Sequence, residues 1–486
     1  MIDKQIKVHD KFSAEIKVGF FTHKDKKVNK SALNIWMFIP NSLDINRYTY
    51  DKKDFYRDMK SNIRLITPIC LLKDIAEGTN SPFLLLQKSV EHLLREPNHS
   101  NREDYEYHIK MFMSILKSSL REELATIKDS EVEKSVEMIE EYTRLLGIIT
   151  FKYRSLFHLI NIPRIEKQLC EYFNFGDEFM SNLMNFHSFS LMKNLKKHSE
   201  YEIIKATLYN HINNEIAYKK EKGYLIIKKD DKHANSELVN RLSHLKKYIE
   251  SQLFINVAKQ KDGVLVEQLL LSLAAGISMI FATGVAFSIQ QKYGSFTMPL
   301  FVALVISYML KDRIKEFSRY YFAHKMGTHY FDHKTNMSIK QTDIGWVKES
   351  MDFISEDNIP PEILKTRAST SIIEANNRAN SEKVLLYRTV MQIDSEKLNL
   401  HGKFVTKGVN AIIRFNFLEF IRNMDNPEFP LYKLEPDQGF EIVDGRRLYY
   451  INFVVQRISG EQNELDRYRV AINPNGIYKI ERIEMS

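Results

Sequence analysis

The residues of this chain best suited to metal chemistry lie a few positions apart near its middle. His324, His329 and His333, with Asp332 beside the last, form the densest group of potential metal ligands. A zinc site needs three or four ligands that converge on one point. Spacings of five and then four residues do not place all three imidazoles on one helical face. We therefore interpret these histidines as interfacial or solvent-exposed, and we predict no metal and no cofactor.

A second group of carboxylates follows about a hundred residues later. Pro436 and Asp437, followed by Glu441, Ile442 and Val443, faintly resemble the carboxylate signature of many metal-dependent nucleases. That signature needs a lysine to activate water or to stabilise an anion, and Val443 occupies its position. The departure removes the chemistry. We interpret this segment as a turn that leads into a strand.

Other catalytic patterns are absent from the sequence. It contains no phosphate-binding GxxxxGK[ST] loop, no GxGxxG or GxSxG motif, and no HExxH or CxxC pair. His9 and Asp10 form an isolated pair without the further partners of a metal phosphohydrolase. Cys70 and Cys170 have no local activating group, and we interpret both as buried small side chains. The sequence therefore predicts that the protein is not an enzyme. The alternative is an enzyme whose active site, in one of the soluble domains, follows no familiar motif.

The composition describes a mainly soluble protein. The chain has 486 residues, enough for two or three domains, of which 44% are hydrophobic and 27% charged. Its mean hydropathy of −0.34 is too polar for a multi-span transporter. The net charge of +8 suits nucleic acid or an anionic membrane surface, or has no particular partner, and only its distribution decides among these.

Two apolar segments interrupt this polar background. Residues 269–289 carry no charge, and at 1.5 Å per residue they span roughly 30 Å, the hydrocarbon thickness of a bilayer. Residues 296–310 reach only about 22 Å, although a start at Tyr293 and snorkelling by Lys311 extend the segment. We predict a transmembrane hairpin with helices at about 265–289 and 293–310. A buried core hairpin in a soluble domain is the alternative that we weigh against it.

Basic residues orient this predicted hairpin. The turn between the two helices carries only Lys292, whereas six basic side chains flank the outer ends: Lys259, Lys261, Lys311, Arg313, Lys315 and Arg319. By the positive-inside rule both termini are cytoplasmic, in a two-pass protein of the inner membrane. Because these flanks give part of the positive charge a role at the membrane interface, nucleic acid is an unlikely partner.

Two features of the first apolar helix bear on what it contacts. Small residues recur every fourth position, at Ala274, Ser278, Ala282 and Ala286, and such a strip allows another helix to approach closely. The partner is either the second helix of the same hairpin or a second copy of the protein in a homo-oligomer. Glu267 is a candidate intramembrane carboxylate, and an interfacial position near the cytoplasmic end is its simpler interpretation.

Before the hairpin the pattern changes from strands to helices. Residues 12–21 and 32–40 are rich in β-branched and aromatic side chains and predict a β-hairpin. From Tyr50 to Ala258 the apolar period is helical and predicts a bundle. One helix starts at Ser130, with a capping-box glutamate three residues later and apolar positions at Val132, Val136, Ile139, Tyr142, Leu146, Ile149, Tyr153 and Leu156. Another starts near Ser236, with Leu238, Leu242, Leu245, Ile249 and Leu253 facing inward.

After the hairpin, residues 311–327 predict an amphipathic helix. It either lies on anionic headgroups or extends the second membrane helix. Pro360 and Pro361 mark a boundary, beyond which we predict strands at 384–393, 410–417 and 448–458 and a pair around 473–476. Asp444 and Gly445 are interpreted as a hairpin turn before the strand at 448–458.

These patterns predict an α+β membrane protein in four parts. They are an N-terminal cytoplasmic domain (1–258), the transmembrane hairpin (264–310), a juxtamembrane helix and linker (311–360) and a C-terminal antiparallel β-rich domain (361–486). We expect a bacterial protein that faces the cytoplasm and serves interaction, sensing or scaffolding, with the lipid bilayer and an unidentified protein as partners. The alternative is a membrane-acting effector whose hairpin oligomerises into a pore or disrupts the bilayer.

Overall fold

The computed structural model of the chain describes residues 6–23, 25–129, 132–163, 165–197, 199–294, 297–326, 331–367, 382–400, 402–435 and 439–483. The fold is mixed α+β and divides into two units. A sheet unit comprises Met1–Arg64, Ile255–Lys403 and Lys407–Ser486. A bundle unit comprises Leu65–Phe254 and Phe404–Thr406.

The described helices and strands are numbered in chain order. The helices are α1 (Lys52–Asp58), α2 (Leu72–Glu77), α3 (Pro82–Arg95), α4 (His99–Lys128), α5 (Val132–Ser155), α6 (Phe157–Ile160), α7 (Lys167–Asn194), α8 (Tyr201–Lys222), α9 (Lys232–Glu250), α10 (Val264–Tyr293), α11 (Met298–Met326), α12 (Pro361–Arg367), α13 (Ser395–Asn399) and α14 (Leu418–Ile421). The strands are β1 (Ile6–Val8), β2 (Ser13–Phe21), β3 (Val28–Ile39), β4 (Met59–Leu65), β5 (Asn256–Lys261), β6 (His333–Ile339), β7 (Thr342–Ile354), β8 (Lys383–Asp394), β9 (Gly408–Asn416), β10 (Glu428–Glu435), β11 (Gly439–Arg446), β12 (Tyr449–Ser459), β13 (Gln462–Asn473) and β14 (Gly476–Ile483).

The bundle unit contains α2 to α9, and local signals start several of these helices. The Ser81 hydroxyl accepts a hydrogen bond from the Phe83 amide at 3.1 Å, and Pro82 occupies the first turn of α3. Asn98 caps α4 in the same way, accepting from the Asn101 amide at 2.8 Å. The predicted helical bundle is confirmed, because its helices enclose one large apolar core.

The two bundle helices predicted in detail are both present. In α5 the buried positions include Ile139, Tyr142, Leu146, Ile149 and Tyr153, as the apolar period predicts, and Leu156 directly after the helix is buried as well. The predicted cap residue Ser130 lies outside the described residues. Helix α9 begins at Lys232 rather than near Ser236, because the Asp231 carboxylate accepts a hydrogen bond from the Ala234 amide. Leu242 remains partly exposed, whereas the other four predicted inward positions of this segment are buried.

The sheet unit is organised around an eight-stranded sheet in the order β14-β13-β12-β3-β8-β7-β6-β5. Its described pairings are antiparallel, and Trp36 of β3 lies between Val454 of β12 and Leu386 of β8. Strand β3 therefore brings the N-terminal part of the chain into one sheet with C-terminal strands. The predicted N-terminal β-hairpin is wrong, since β2 and β3 form as strands but β2 pairs with β1 and β9 instead. Strand formation is local, whereas the choice of partner is not.

The C-terminal antiparallel strands predicted from the sequence are confirmed as β8, β9, β12 and the β13–β14 pair. The turn predicted at Asp444 and Gly445 is wrong. Both residues lie inside β11, opposite Pro430 and Phe429 of β10. An Asp-Gly pair forms a hairpin turn only where the segments on its two sides pair with each other. Here Asp444 and Gly445 belong to a strand that pairs with β10, which precedes it in the chain. Strands β6 and β7 lie within residues 311–360, where the sequence indicated only a helix and a linker.

Candidate functional site

A helical hairpin is inserted into one edge of the eight-stranded sheet. Helices α10 and α11 pack against each other and connect β5 to β6, the two strands at that edge. Lys261, the last residue of β5, pairs directly with His333, the first residue of β6. The chain therefore leaves the sheet, forms two antiparallel helices and returns to the neighbouring strand.

Helix α10 presents an apolar surface that the protein does not cover. Large apolar side chains point to the outside along its length, among them Leu265, Leu269, Leu273, Ile280 and Phe287. Within the described residues, the segment Val264–Lys292 is the one helix long and apolar enough to cross a bilayer, with a mean hydropathy of 2.1 over its most apolar 18 residues. On a soluble helix such a surface would normally face a protein core.

The prediction of two transmembrane spans is not supported at the level of length and composition. The apolar part of α11 runs from Met298 to Leu310, which is 13 residues. Lys311, Asp312 and Arg313 follow directly, so a stretch of bilayer length in this helix includes several charges. Beyond them α11 continues without interruption to Met326. Of the two arrangements considered for residues 311–327, the helical extension is therefore the one observed.

The strip of small residues on α10 faces its partner in the hairpin. Ala274 and Ser278 are buried, and Ser307 of α11 is the one other described residue of the two helices that is buried. The Ser307 hydroxyl donates a hydrogen bond to the carbonyl oxygen of Ala282 at 3.3 Å. Ala286 at the end of the strip is partly buried. Small side chains thus allow the close approach of α11, as in membrane helix pairs.

The hydroxyl groups of α10 bond within the helix itself. Ser272, Ser278, Thr283 and Ser288 each donate to a carbonyl oxygen three or four residues earlier, at 2.8–2.9 Å. A hydroxyl bonded in this way presents little unsatisfied polarity to its surroundings. This chemistry suits an environment without water, where every polar group needs an internal partner.

The candidate carboxylate Glu267 lies in the first turn of α10 and is about half exposed. It forms an ion pair with Lys261 at 2.6 Å. A carboxylate in the first turn is also stabilised by the helix dipole. These contacts match an interfacial position better than one deep in a bilayer.

The other predicted interfacial basic residues have different surroundings. Lys259 extends from β5 to Glu349 at 3.1 Å, so it belongs to the sheet. The Lys311 ammonium lies over the Tyr308 ring at 4.1 Å from its centroid. Arg319 lies 3.8 Å from Glu316, and Arg313 and Lys315 are exposed on α11.

A group of polar side chains joins the base of the hairpin to the sheet and to α1. We call it the base cluster and define it as Lys52, Tyr56, Lys259, Asp262, Asp332, Lys348, Glu349 and Tyr387. Asp332 accepts hydrogen bonds from Lys52 at 2.6 Å, from Tyr56 at 3.0 Å and from the Met351 amide at 2.8 Å. Asp332, which directly precedes β6, is thereby tied to β7 and α1.

The other half of the base cluster secures the strand that leads into α10. Glu349 of β7 is buried and accepts hydrogen bonds from Tyr387 at 2.8 Å and from Lys259 at 3.1 Å. Lys348 pairs with Asp262 at 2.9 Å, directly before α10. Burial, together with Glu349, raises the pKa of Tyr387 well above its ordinary value. Tyr387 therefore remains protonated and continues to donate its hydrogen bond to the buried carboxylate of Glu349.

The histidine cluster does not form a metal centre among the described residues, where no group of three potential ligands converges. His329 lies outside the described residues, as does the side chain of His324. His333 packs edge-on against Tyr56, with ring centroids 4.4 Å apart. Burial and the nearby Lys259 lower the pKa of His333. Asp332 instead belongs to the base cluster.

The bundle unit contains a buried ion network that the sequence analysis missed. Arg154 of α5 donates to Asp177 at 3.0 Å and, through two nitrogens, to Glu215 at 3.0 and 2.8 Å. Tyr218 and Tyr224 donate to the second oxygen of Asp177 at 2.8 and 2.9 Å. Burial would raise the pKa of Glu215, but the hydrogen bonds and charge of Arg154 outweigh it and lower that pKa.

The same network continues along α7. Arg241 forms a bidentate pair with Glu178, in which Nη2 donates to Oε2 at 2.6 Å and Nε donates to Oε1 at 3.2 Å, and Lys219 donates to the Asn182 side chain at 2.9 Å. Burial lowers the pKa of Lys219 to about 8. Adjacent carboxylates at Asp177 and Glu178 within an otherwise apolar stripe were the available sequence signal. Their cationic partners lie 23 and 63 residues away in sequence, so no local pattern identifies them.

The two cysteines are half-buried and unpaired with each other. Burial raises the pKa of the Cys70 thiol to about 11 and also raises that of Cys170. Both thiols are therefore protonated near neutral pH, which makes them weak nucleophiles.

No protein-family profile, curated protein or solved structure shows significant similarity to this chain.

Proposed function

We propose that the chain is a membrane-anchored protein in which α10 and α11 form a two-pass anchor. The observation that carries this proposal is the exposed apolar surface of α10. This helix belongs to the hairpin that is inserted in the chain between the paired strands β5 and β6. Transfer of apolar surface from water is favourable by about 25 cal/mol per Å². Lipid is the surrounding that such a surface needs, and the internally bonded hydroxyls of α10 support the same conclusion.

The two-pass arrangement is supported by the pairing of β5 with β6. Because Lys261 lies opposite His333 in one sheet, the chain before and after the hairpin lies on one side of any bilayer. A crossing by α10 therefore requires a return crossing by α11. The apolar part of α11, at 13 residues, measures only about 20 Å. Local thinning of the bilayer and snorkelling by Lys311 accommodate such a mismatch at a modest cost in free energy.

The side that carries the sheet is proposed to be the cytoplasm. The basic side chains lie at the outer ends of the hairpin, and Lys292 in the last turn of α10 is the one basic residue at its inner end. The positive-inside rule then favours cytoplasmic termini. Because part of the positive charge lies at these ends, anionic lipid headgroups are a better partner for it than nucleic acid.

We propose that the soluble parts serve sensing, scaffolding or interaction with another protein. The base cluster supports this role, because it joins Asp262 before α10 and Asp332 before β6 to β7 and α1 through ion pairs and tyrosine hydrogen bonds. A displacement of the hairpin would act directly on these strands. The carboxylates of the cluster are engaged by protein partners, which favours a mechanical role over catalysis.

Membrane retention during alkaline extraction tests the anchor. We expect the wild-type chain to remain with the membranes and Ile280→Arg to be released in part. An arginine near the centre of a membrane helix costs about 2.5–3.5 kcal/mol in insertion. Phe151→Arg on α5 is the matched control, because Ile280 and Phe151 are 73% and 76% exposed. A wild-type chain that is soluble without detergent would contradict the proposal.

Topology is tested separately with reporter fusions at Lys292 and at both termini. We expect a non-cytoplasmic signal at Lys292 and cytoplasmic signals at the termini. A cytoplasmic signal at all three positions, in a chain that resists alkaline extraction, would replace the two-pass anchor with a hairpin that enters and leaves on one side.

A further inference from the structure

The β10–β11 hairpin, which we call the arm, is a two-stranded sheet that pairs with no other described strand. None of its described residues is buried. It nevertheless carries seven large apolar side chains that are at least 43% exposed: Phe429, Leu431, Tyr432, Leu434, Phe440, Ile442 and Val443. An isolated two-stranded hairpin is at best marginally stable in water. A surface of this kind therefore calls for a partner.

The two faces of the arm differ near its tip. Tyr432 lies opposite Ile442, and Leu434 lies opposite Phe440, so these four side chains share one face. We call this the apolar face. The charged residues of the same half, Lys433, Glu435 and Glu441, alternate with them and occupy the opposite face. Packing on the apolar face therefore buries no charged side chain of the tip.

We infer that the apolar face packs against the same face of a second copy of this chain. A two-fold arrangement is self-complementary, because each copy presents an uncharged surface to an uncharged surface. Two of the four residues, Tyr432 and Phe440, are aromatic, and an aromatic side chain can bury roughly 150–250 Å². Because all four side chains are only partly exposed, together they offer on the order of 400–500 Å². Two copies together bury about 800–1,000 Å², just below the range of stable interfaces.

Such an area fits a weak and reversible dimer. Confinement of the copies to one bilayer, which rests on the proposed function, raises their effective concentration and favours the pair. Face-to-face packing also gives two two-stranded sheets a common core, which neither has alone.

Two observations weigh against other occupants, namely an anionic lipid surface and a further strand added along the edge. Residues 428–446 contain five acidic and two basic side chains, for a net charge of −3 in a chain of net charge +8. This charge opposes adsorption to an anionic lipid surface. Pro430 has no amide proton and interrupts the outer edge of β10, which hinders the addition of a further strand along that edge. The apolar face remains available for contact.

Sedimentation of the full chain in mild detergent, over a wide range of protein concentration, tests the inference. We expect a concentration-dependent dimer whose dissociation constant rises at least about tenfold in Leu434→Ser, because each copy loses an apolar contact. Leu431→Ser is the matched control, since Leu431 lies on the other face of the same strand and is also more than half exposed. There we expect less than about a threefold change.

The outcomes separate this inference from the anchor. A wild-type chain that is monomeric throughout, or a dimer that Leu434→Ser leaves intact, would overturn the arm-to-arm contact. If the chain is monomeric and Leu434→Ser instead lowers vesicle binding in the Ile280→Arg background, the apolar face contacts lipid and the inference is wrong. Thermal unfolding of both arm variants checks that the sheet unit remains folded. Ile280→Arg should reduce membrane retention without changing the dimer in detergent.

Discussion

Helices α4 and α10 are each thirty residues long, yet they relate to the protein around them in opposite ways. Helix α4 is the more polar of the two, and it buries fourteen side chains in the bundle unit. Helix α10 carries no charge between residues 269 and 289, and only Ala274 and Ser278 are buried. The first helix completes its apolar contacts within the protein, whereas the second leaves them for its surroundings. Hydrophobicity alone therefore does not place a helix in a core.

The difference lies in what surrounds each helix. Every residue of α4 from His108 to Leu116 is buried, because neighbouring helices of the bundle cover this part of α4 on all sides. In α10 apolar residues surround the helix, and a single neighbour, α11, covers only the small-residue strip. In the proposed anchor, the rest is covered by the bilayer, which is apolar on all sides.

The largest expected effect tests whether the bundle unit is stabilised by contacts among its own buried side chains. Arg154→Met leaves Asp177 and Glu215 buried without their cation, so we expect a loss of about 3–5 kcal/mol in the free energy of unfolding of the bundle. Denaturant unfolding of the full chain in detergent measures it. Arg144→Met is the control, because Arg144 pairs with Glu77 and Glu141 on an exposed surface, where pairs contribute about 0–1 kcal/mol. Equal losses in the two variants would show that the network is not a buried unit.

A pair of identical truncations compares the two helices directly. Leu120→Ala in α4 opens a cavity in the core and should lower the unfolding free energy by about 2–5 kcal/mol. Leu269→Ala in α10 removes a side chain that is 69% exposed, and we expect its effect on unfolding in detergent to stay below about 1 kcal/mol. A large loss in Leu269→Ala would mean that protein, rather than lipid, covers this face.

The pH dependence of the bundle should report His187 on α7. Burial, with Lys117, Arg121 and Lys128 nearby, lowers the pKa of His187 to about 4 from an ordinary value near 6.5. Because the unfolded chain takes up the proton first, the contribution of His187 is complete above about pH 6.5 and is lost as the pH falls towards 4. We expect a decrease of up to about 3 kcal/mol over this interval.

Unfolding curves at several pH values measure this effect. His187→Asn should flatten the decrease, whereas His233→Asn at an exposed position of α9 should leave it unchanged. An unchanged slope in His187→Asn would assign the acid sensitivity to other groups.

The smallest expected effect concerns the end of the hairpin. Glu267→Gln removes an exposed ion pair with Lys261, so we expect less than about 1 kcal/mol in stability and no change in alkaline extraction. A clear loss of membrane retention, or of an ion flux in reconstituted vesicles, would give this carboxylate a role inside the bilayer.

Local patterns were sufficient for much of the fold. The apolar period predicted the inward positions of α5, alternating and β-branched residues predicted β8, β9 and β12, and an uncharged stretch predicted α10. These features depend on neighbours within a few residues, which the sequence states directly. Patterns fail where the partner is distant, as with the pairing of β3 or the turn assigned to Asp444 and Gly445.

The candidate site divides in the same way. The sequence by itself determined that α10 is apolar on all sides, that its small residues form a strip, and that basic residues flank the hairpin. Only the tertiary structure decided that the hairpin joins two adjacent strands, and that Asp332 and Glu349 anchor its base. It likewise decided that Arg154 meets two carboxylates from other helices. Helix periodicity is a property of short segments, whereas strand pairing and buried ion pairs require contacts between residues far apart in the chain.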